Sequence, residues 1–301
     1  MEEWLLKHRR MAVVITALAF LLLLVLRHFL FASYDVNGEY DWAANIRSVL
    51  DALIAAIVVS LFVSFALWWL RPPSDRIPPG FEIPAIEISR TLERSTAATD
   101  EWEYIGHTAR YVRTRIIPDL VEHSNRENKP CRIRIVILDP DIATLCEQYA
   151  NYRNRSRSNE LFNSEWTCNK VRAELLASII RILQSHTANN YVSCEIGLRA
   201  FLSQYRTDRT REIALVTQED PQEPAYKYVR GSRFYEHIKR ENELIWEQSR
   251  KLDLASVSAQ TANDRLKLKA ALILWVPSLS NDETLLEQAF RIVNNDKSPY
   301  A

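Results

Sequence analysis

Asp139 and Asp141 place two carboxylates one residue apart, directly after the apolar stretch Ile135–Leu138. Paired carboxylates behind a strand can hold a divalent metal or divide acid and base work in phosphoryl chemistry. The same pair also suits a turn followed by a helix cap, with Asp141 opening a helix from Ile142 to about Arg153. Arg153, Arg155 and Arg157 come next, behind Tyr149 and Tyr152. Guanidinium groups beside aromatic rings can clasp phosphate and stack a base, and an exposed basic loop would carry the same residues. His107, His123, His186 and His237 are scattered. His237-Ile238-Lys239 begins an H-x-K pattern, but Leu244 stands where an aspartate would complete it.

Several chemistries are excluded by composition. The chain has 5 glycines in 301 residues, too dispersed for a Walker loop or a dinucleotide-binding turn. No Gly-x-Ser-x-Gly elbow occurs. The four cysteines, Cys131, Cys146, Cys168 and Cys194, form no C-x-x-C pair, which argues for buried reduced thiols rather than a zinc or dithiol site. Thirty-eight basic residues balance 38 acidic ones, so no global field attracts nucleic acid, and no specific nucleic-acid partner is expected.

The elements that would position these residues alternate. Phe81–Ser89 reads as a short strand or extended arm, and Thr91–Ser124 as mostly helix. Cys131–Leu138 is β-branched and ends in Asp139-Pro140-Asp141, the look of a buried central strand opening into a loop. Glu160–Ser185 is an amphipathic helix, and Tyr191–Leu198 and Glu212–Thr217 are strands. Phe234–Leu252 and Asp282–Asn294 are helices, while Lys267–Val276 suits either a strand or a buried helix. Strands separated by helices predict an α/β fold with a mixed, partly parallel sheet flanked by helices. Ligands of such sheets bind beyond the carboxyl ends of the strands, which is where Asp139 falls.

Ahead of this domain lie two apolar runs. Met11–Leu26, extended to Phe31, and Ala52–Leu70 approach the roughly 20 residues that a membrane-spanning helix needs. Basic flanks (Lys7, Arg9, Arg10; Arg71, Arg76) surround an acidic connector with Asp35, Glu39 and Asp41. The positive-inside rule then predicts a two-pass inner-membrane protein with both termini cytoplasmic. The expected order is a cytoplasmic N-terminus over 1–10, a first transmembrane helix over 11–31, an external connector over 32–48 and a second transmembrane helix over 49–70. A proline-rich linker over 71–80 leads to a cytoplasmic α/β domain over 81–301. The expected partners are the lipid bilayer and a second copy of the chain through the transmembrane helices.

Glu101-Trp102-Glu103-Tyr104-Ile105-Gly106-His107, then RIRIVILDPD, YVSCEIGL and RFYEHIKRENELIWEQSRKL, resemble in order the degenerate phospholipase-D-like domains of bacterial proteins, over about Glu101–Leu252. The resemblance implies an α/β fold and a former phosphate pocket, with Gly106, Asp139 and Glu195 in the matching segments. Active members need H-x-K-x(4)-D, which this chain lacks, so no catalytic residue is carried over. A two-helix anchor behind a sensing domain is also similar in architecture to two-helix effectors of bacterial anti-phage signalling.

The reading that follows is a membrane-anchored, non-enzymatic sensor or effector that binds a phosphorylated small ligand or a protein partner. The candidate ligand-binding residues are Gly106, His107, Asp139, Asp141, Tyr149, Arg153, Arg155 and Glu195. No cofactor is expected. A membrane-tethered phosphodiesterase or head-group hydrolase using a divalent metal on Asp139 and Asp141 is the rival, and a membrane scaffold the third reading.

Overall fold

The structure, a computed structural model, describes residues 41–70, 80–156, 165–220 and 222–295, with Leu22, Val25 and His28 as isolated positions before them. The chain divides into two compact units, Met1–Arg76 and Ile77–Ala301.

In the first unit, helix α1 runs over Asp41–Leu70. It begins inside the stretch expected as an external connector. Most of the first apolar run, and the proline-rich linker up to residue 79, lie outside the described residues. Among the described residues no helix is long and apolar enough to cross a membrane. In α1, Asp51 sits within the helix. The transmembrane hairpin, the bilayer partner, the oligomer through membrane helices and the two-pass inner-membrane location are therefore withdrawn. With them goes the architectural likeness to two-helix effectors.

The second unit is an α/β domain built on a mixed eight-stranded sheet. Its strands are β1 (Phe81–Ile83), β2 (Glu101–Ile105), β3 (Cys131–Leu138), β4 (Val192–Arg199), β5 (Arg206–Thr210), β6 (Ile213–Thr217), β7 (Ala225–Val229) and β8 (Arg250–Leu252). They are ordered β1-β7-β6-β5-β2-β3-β4-β8. β2, β3 and β4 run parallel, and every other pairing is antiparallel. The helices are α2 (Ala85–Thr96), α3 (Ile117–Glu127) behind a π-helical turn at Val112–Ile116, α4 (Ala143–Arg155), α5 (Cys168–Ala188), α6 (Arg233–Gln248), α7 (Ala259–Asn263), α8 (Arg265–Trp275) and α9 (Glu283–Asn294). The expected fold class stands. The segment Thr91–Ser124, expected as helix, instead contains β2. Its sequence EWEYI alternates charge and aromatic ring, and that period of two outweighs the helix formers around it. Lys267–Val276 resolves as helix.

The two faces of the sheet bury different chemistry. Trp102, Ile133, Ile135, Cys194 and Ile196 project to one face and meet α5, most of whose side chains are buried between the sheet, α4 and α9. On the other face the register aligns Arg209, Glu103, Arg134 and Glu195 in one row across β5, β2, β3 and β4. Their charges alternate. Arg209 Nε donates to Glu103 Oε2 at 2.7 Å, Arg134 Nη1 to Glu103 Oε1 at 3.3 Å and Arg134 Nε to Glu195 Oε2 at 2.9 Å. Helix α6 covers this row, capped at its start by Ser232. Its Asn242 donates to Glu103 Oε2 at 2.8 Å, and its Trp246 lies over the Arg134 guanidinium.

Burial makes the position along the row decide its energetics. Glu103→Gln leaves Arg209 buried without its main counter-charge and is expected to cost about 3 kcal/mol in urea unfolding. Arg132→Gln removes an exposed partner of Glu195 at the row's edge and is expected to cost less than about 1 kcal/mol. Equal losses would show that burial does not set the strength of the row.

Candidate functional site

The carboxyl ends of β2, β3 and β4 meet at one edge of the sheet, and the polar side chains there form two separate groups. The first centres on Glu219, which follows β6 and is buried. Its Oε1 receives the Tyr149 hydroxyl at 2.9 Å and faces His107 Nδ1 at 2.7 Å. Its Oε2 receives Arg153 Nη1 at 2.5 Å, with Arg206 Nη1 at 3.9 Å. Burial alone would raise this carboxyl. The Arg206 charge, the hydrogen bond and charge of His107 and the Arg153 charge outweigh it, holding Glu219 well below the usual carboxylate range. His107 is fully buried just beyond β2, stacks on Tyr149 with ring centroids 4.7 Å apart, and presents Nε2 to the Ser203 carbonyl at 2.6 Å. Arg153 also lies over Trp166, whose backbone is held on both sides by Asn154.

The second group is Asp139 with Arg250. Arg250 Nη2 reaches both carboxylate oxygens, at 2.8 and 2.7 Å, and its Nε reaches Oδ2 at 3.1 Å. Its Nη1 donates to the Trp275 carbonyl. Asp139 Oδ1 also receives the Asp141 backbone N–H, and the Asp139 backbone N–H donates to the Arg199 carbonyl. This aspartate therefore ties the ends of β3, β4 and β8 to α8. Asp141 does not cap α4, which starts after Ile142 without a side-chain cap. Its Oδ1 instead receives the Ser278 N–H at 3.0 Å in the turn Pro277–Asn281. Burial raises the Asp141 carboxyl, and the Ser278 bonds with the charges of Arg250 and Arg172 bring it below the usual range. No cluster of three metal-ligating side chains occurs among the described residues.

The eight expected residues thus divide. His107, Tyr149 and Arg153 converge on Glu219. Asp139 and Asp141 are tied elsewhere. Gly106 makes room for the Tyr104 phenol, since a Cβ there would lie 2.0 Å from its oxygen. Arg155 is exposed on the last turn of α4, and Arg157 lies outside the described residues. Glu195 belongs to the charged row beneath α6, where burial raises its carboxyl and the bonds from Arg132 and Arg134 lower it overall.

Sequence reasoning missed Glu219, Arg206 and Arg199. Arg199 ends β4 and is 1% exposed. Its Nε and Nη2 have no hydrogen-bond partner, and the Phe201 ring lies 5.1 Å from the guanidinium. Burial lowers this guanidinium to about 10, against the opposing influence of Tyr104 and Tyr149. The available signal was a lone charge closing an apolar strand, the same signal that marked Asp139. Asp208, cross-strand from Tyr104, is also buried with Oδ1 unpartnered. Burial pushes it up to about 6, while the Arg206 charge and the Trp102 indole pull the other way.

No family model matches this chain, and no curated protein matches it. Among solved structures the chain is similar to TrmBL2, an archaeal chromatin protein whose structure shows a novel mode of DNA binding. The TM-score is 0.32 and the identity 10%, over 69% of this chain and 66% of that one. A likeness at that score carries no argument about this chain's ligands. The phospholipase-D-like resemblance is overturned, because no family model supports it. The segments quoted for it place Gly106, Asp139 and Glu195 in three unrelated interactions, and His237 is exposed on α6.

Two substitutions separate these buried carboxyls by sign. Glu219 is depressed in the fold, so its stabilisation is present above the unfolded value near 4.3 and is lost as pH falls through the folded one. Glu219→Gln is expected to cost about 3 kcal/mol at neutral pH, with the deficit narrowing in acid. Asp208 is raised, so its cost appears as pH climbs past about 3.9 and is complete above its folded value of about 6. Asp208→Asn is expected to stabilise by about 2 kcal/mol at neutral pH and by nothing below about pH 4. Urea unfolding across that range measures both.

Proposed function

We propose that the Ile77–Ala301 domain is a non-enzymatic binding domain for a small ligand bearing a phosphate group, anchored on Arg199. The observation that carries this reading is a buried guanidinium with two unpartnered nitrogens at the carboxyl end of a parallel strand. Open α/β sheets bind their ligands at that edge. An unpaired buried cation costs several kcal/mol, and an anion docked on it recovers much of that cost. The planar fork of arginine matches two phosphate oxygens at once. Tyr104 and Tyr149, whose influence reaches Arg199, add hydroxyls to the same neighbourhood. The non-enzymatic part rests on the hydrogen-bonded carboxylates, Asp208 standing apart with its unpartnered Oδ1. Asp139 is taken up by Arg250, Asp141 by Ser278, and Glu219 by His107, Tyr149 and Arg153. A base held by such donors has little affinity left for a substrate proton.

Arg199→Met tests the reading, because it keeps the length of the side chain and removes the charge. Without ligand, the variant is expected to be more stable than the natural protein by about 2 kcal/mol, since no counter-charge is lost. In a thermal-shift panel of inorganic phosphate, sugar phosphates and nucleoside mono-, di- and triphosphates, the natural protein is expected to melt higher with at least one compound. The variant is expected not to respond. A variant that is less stable without ligand, or that still responds to phosphate compounds, rules out Arg199 as the anchor.

A further inference from the structure

The two hydrogen bonds of His107 both face acceptors. Nδ1 lies 2.7 Å from Glu219 Oε1 and Nε2 lies 2.6 Å from the Ser203 carbonyl. A carbonyl has no proton to give. Glu219 has none either, for it is held as a carboxylate that already accepts from Tyr149 and Arg153. Two acceptors facing one imidazole are both satisfied only when both ring nitrogens carry hydrogen. A neutral ring keeps a single N–H. The charged acceptor Glu219 has the stronger claim on it, which leaves the Ser203 carbonyl facing a lone pair.

Ser203 sits in the β4–β5 connection, residues 200–205, which has no regular structure. This connection leaves β4 at Arg199 and lays Phe201 against the Arg199 guanidinium. Leu202 rests against the core, while Phe201 and Tyr205 are exposed. The Ser203 carbonyl ties the middle of the connection to the buried cluster. The groups packed around the ring are Glu219 after β6, Tyr149, Tyr152 and Arg153 on α4, and Arg206 on β5, with Tyr104 on β2 and Arg199 on β4 beyond them.

We propose that doubly protonated His107 is a latch that holds residues 200–205 over Arg199, and that loss of one ring proton releases this cover. The consequence for ligand entry rests on the reading of Arg199 as the phosphate anchor; the latch itself does not. The sign follows from the geometry. The closed state holds one proton more than the open one, so closure is favoured in acid and weakens as pH rises. In stronger acid, protonation of Glu219 removes the anchor from the other side.

The test uses the full chain without ligand, labelled with 15N in histidine, from mildly acid to mildly alkaline pH. Ring-nitrogen signals report the protonation of His107, and hydrogen exchange reports the protection of residues 200–205. Both nitrogens are expected to be protonated while the connection is protected. Wherever the ring-nitrogen signals show one proton lost, protection is expected to fall about tenfold per pH unit beyond the intrinsic exchange rate, the slope of single-proton linkage. His107→Gln offers one donor group and no cation, and is expected to show low protection with no such slope. A neutral ring beneath a protected connection, or protection indifferent to pH, overturns the proposal. If the variant does not fold, the coincidence of the two signals in the natural protein still decides it. Arg199→Met is expected to keep the slope while losing the phosphate response. A missing phosphate response with the slope intact therefore counts against the anchor alone, and a missing slope with the response intact against the latch alone.

Discussion

The alternating row Arg209–Glu103–Arg134–Glu195 is the constraint on which the domain turns. Opposite charges on neighbouring strands favour one register and penalise the slips that would set like charges side by side. A shift of one residue would also send Trp102 beneath α6 and drive Glu103 into the apolar layer around α5. Because the row crosses β5, β2, β3 and β4, it aligns the carboxyl ends of the three parallel strands. His107, Asp139 and Arg199 meet at one edge because of that alignment. The site is in this sense a product of the register.

The remaining buried polar groups divide between binding the fold together and standing apart from it. Asp139 joins β3, β4 and β8 to α8 through Arg250. Arg113, on the π-helical turn, fastens the segment after β2 to α5 through Glu174 and Ser178. Glu219 gathers α4, β5 and the end of β2. Each of these groups is paired with donors or acceptors of matching number, as buried polar groups are in stable proteins. Arg199 and Asp208 depart from that rule, and such departures are the kind of local cost that proteins carry for function.

The layered fold was legible because its signals are local. RIRIVIL and YVSCEIGL are strands by composition, and the long helix α5 by its period. Glu101–Ile105 was hidden by surroundings rich in helix formers, although its alternation of charge and ring was present. Asp139 is legible as a strand-end carboxylate, but its partner Arg250 is not, because it lies 111 residues away. His107, Tyr149 and Arg153 were picked out singly, but Glu219, which unites them, carries no motif of its own. Long-range pairing is the information that the order of residues does not display. The apolar runs were the plainest signal in the chain, and the described residues do not bear out the spanning hairpin read from them.

Besides Gly80, which crowds the Tyr228 ring, two of the chain's 5 glycines sit hard against an aromatic ring. Gly106 lies beneath the Tyr104 phenol, and Gly197 beneath the Trp246 ring, where a Cβ would come within 3.0 Å. Each glycine is the complement of one particular aromatic ring. A chain that diverges from this one cannot enlarge either glycine without shrinking or moving its ring, so the members of each pair should change together. The two glycine–aromatic pairs are thus a fingerprint by which distant relatives of the domain can be recognised when overall identity has faded.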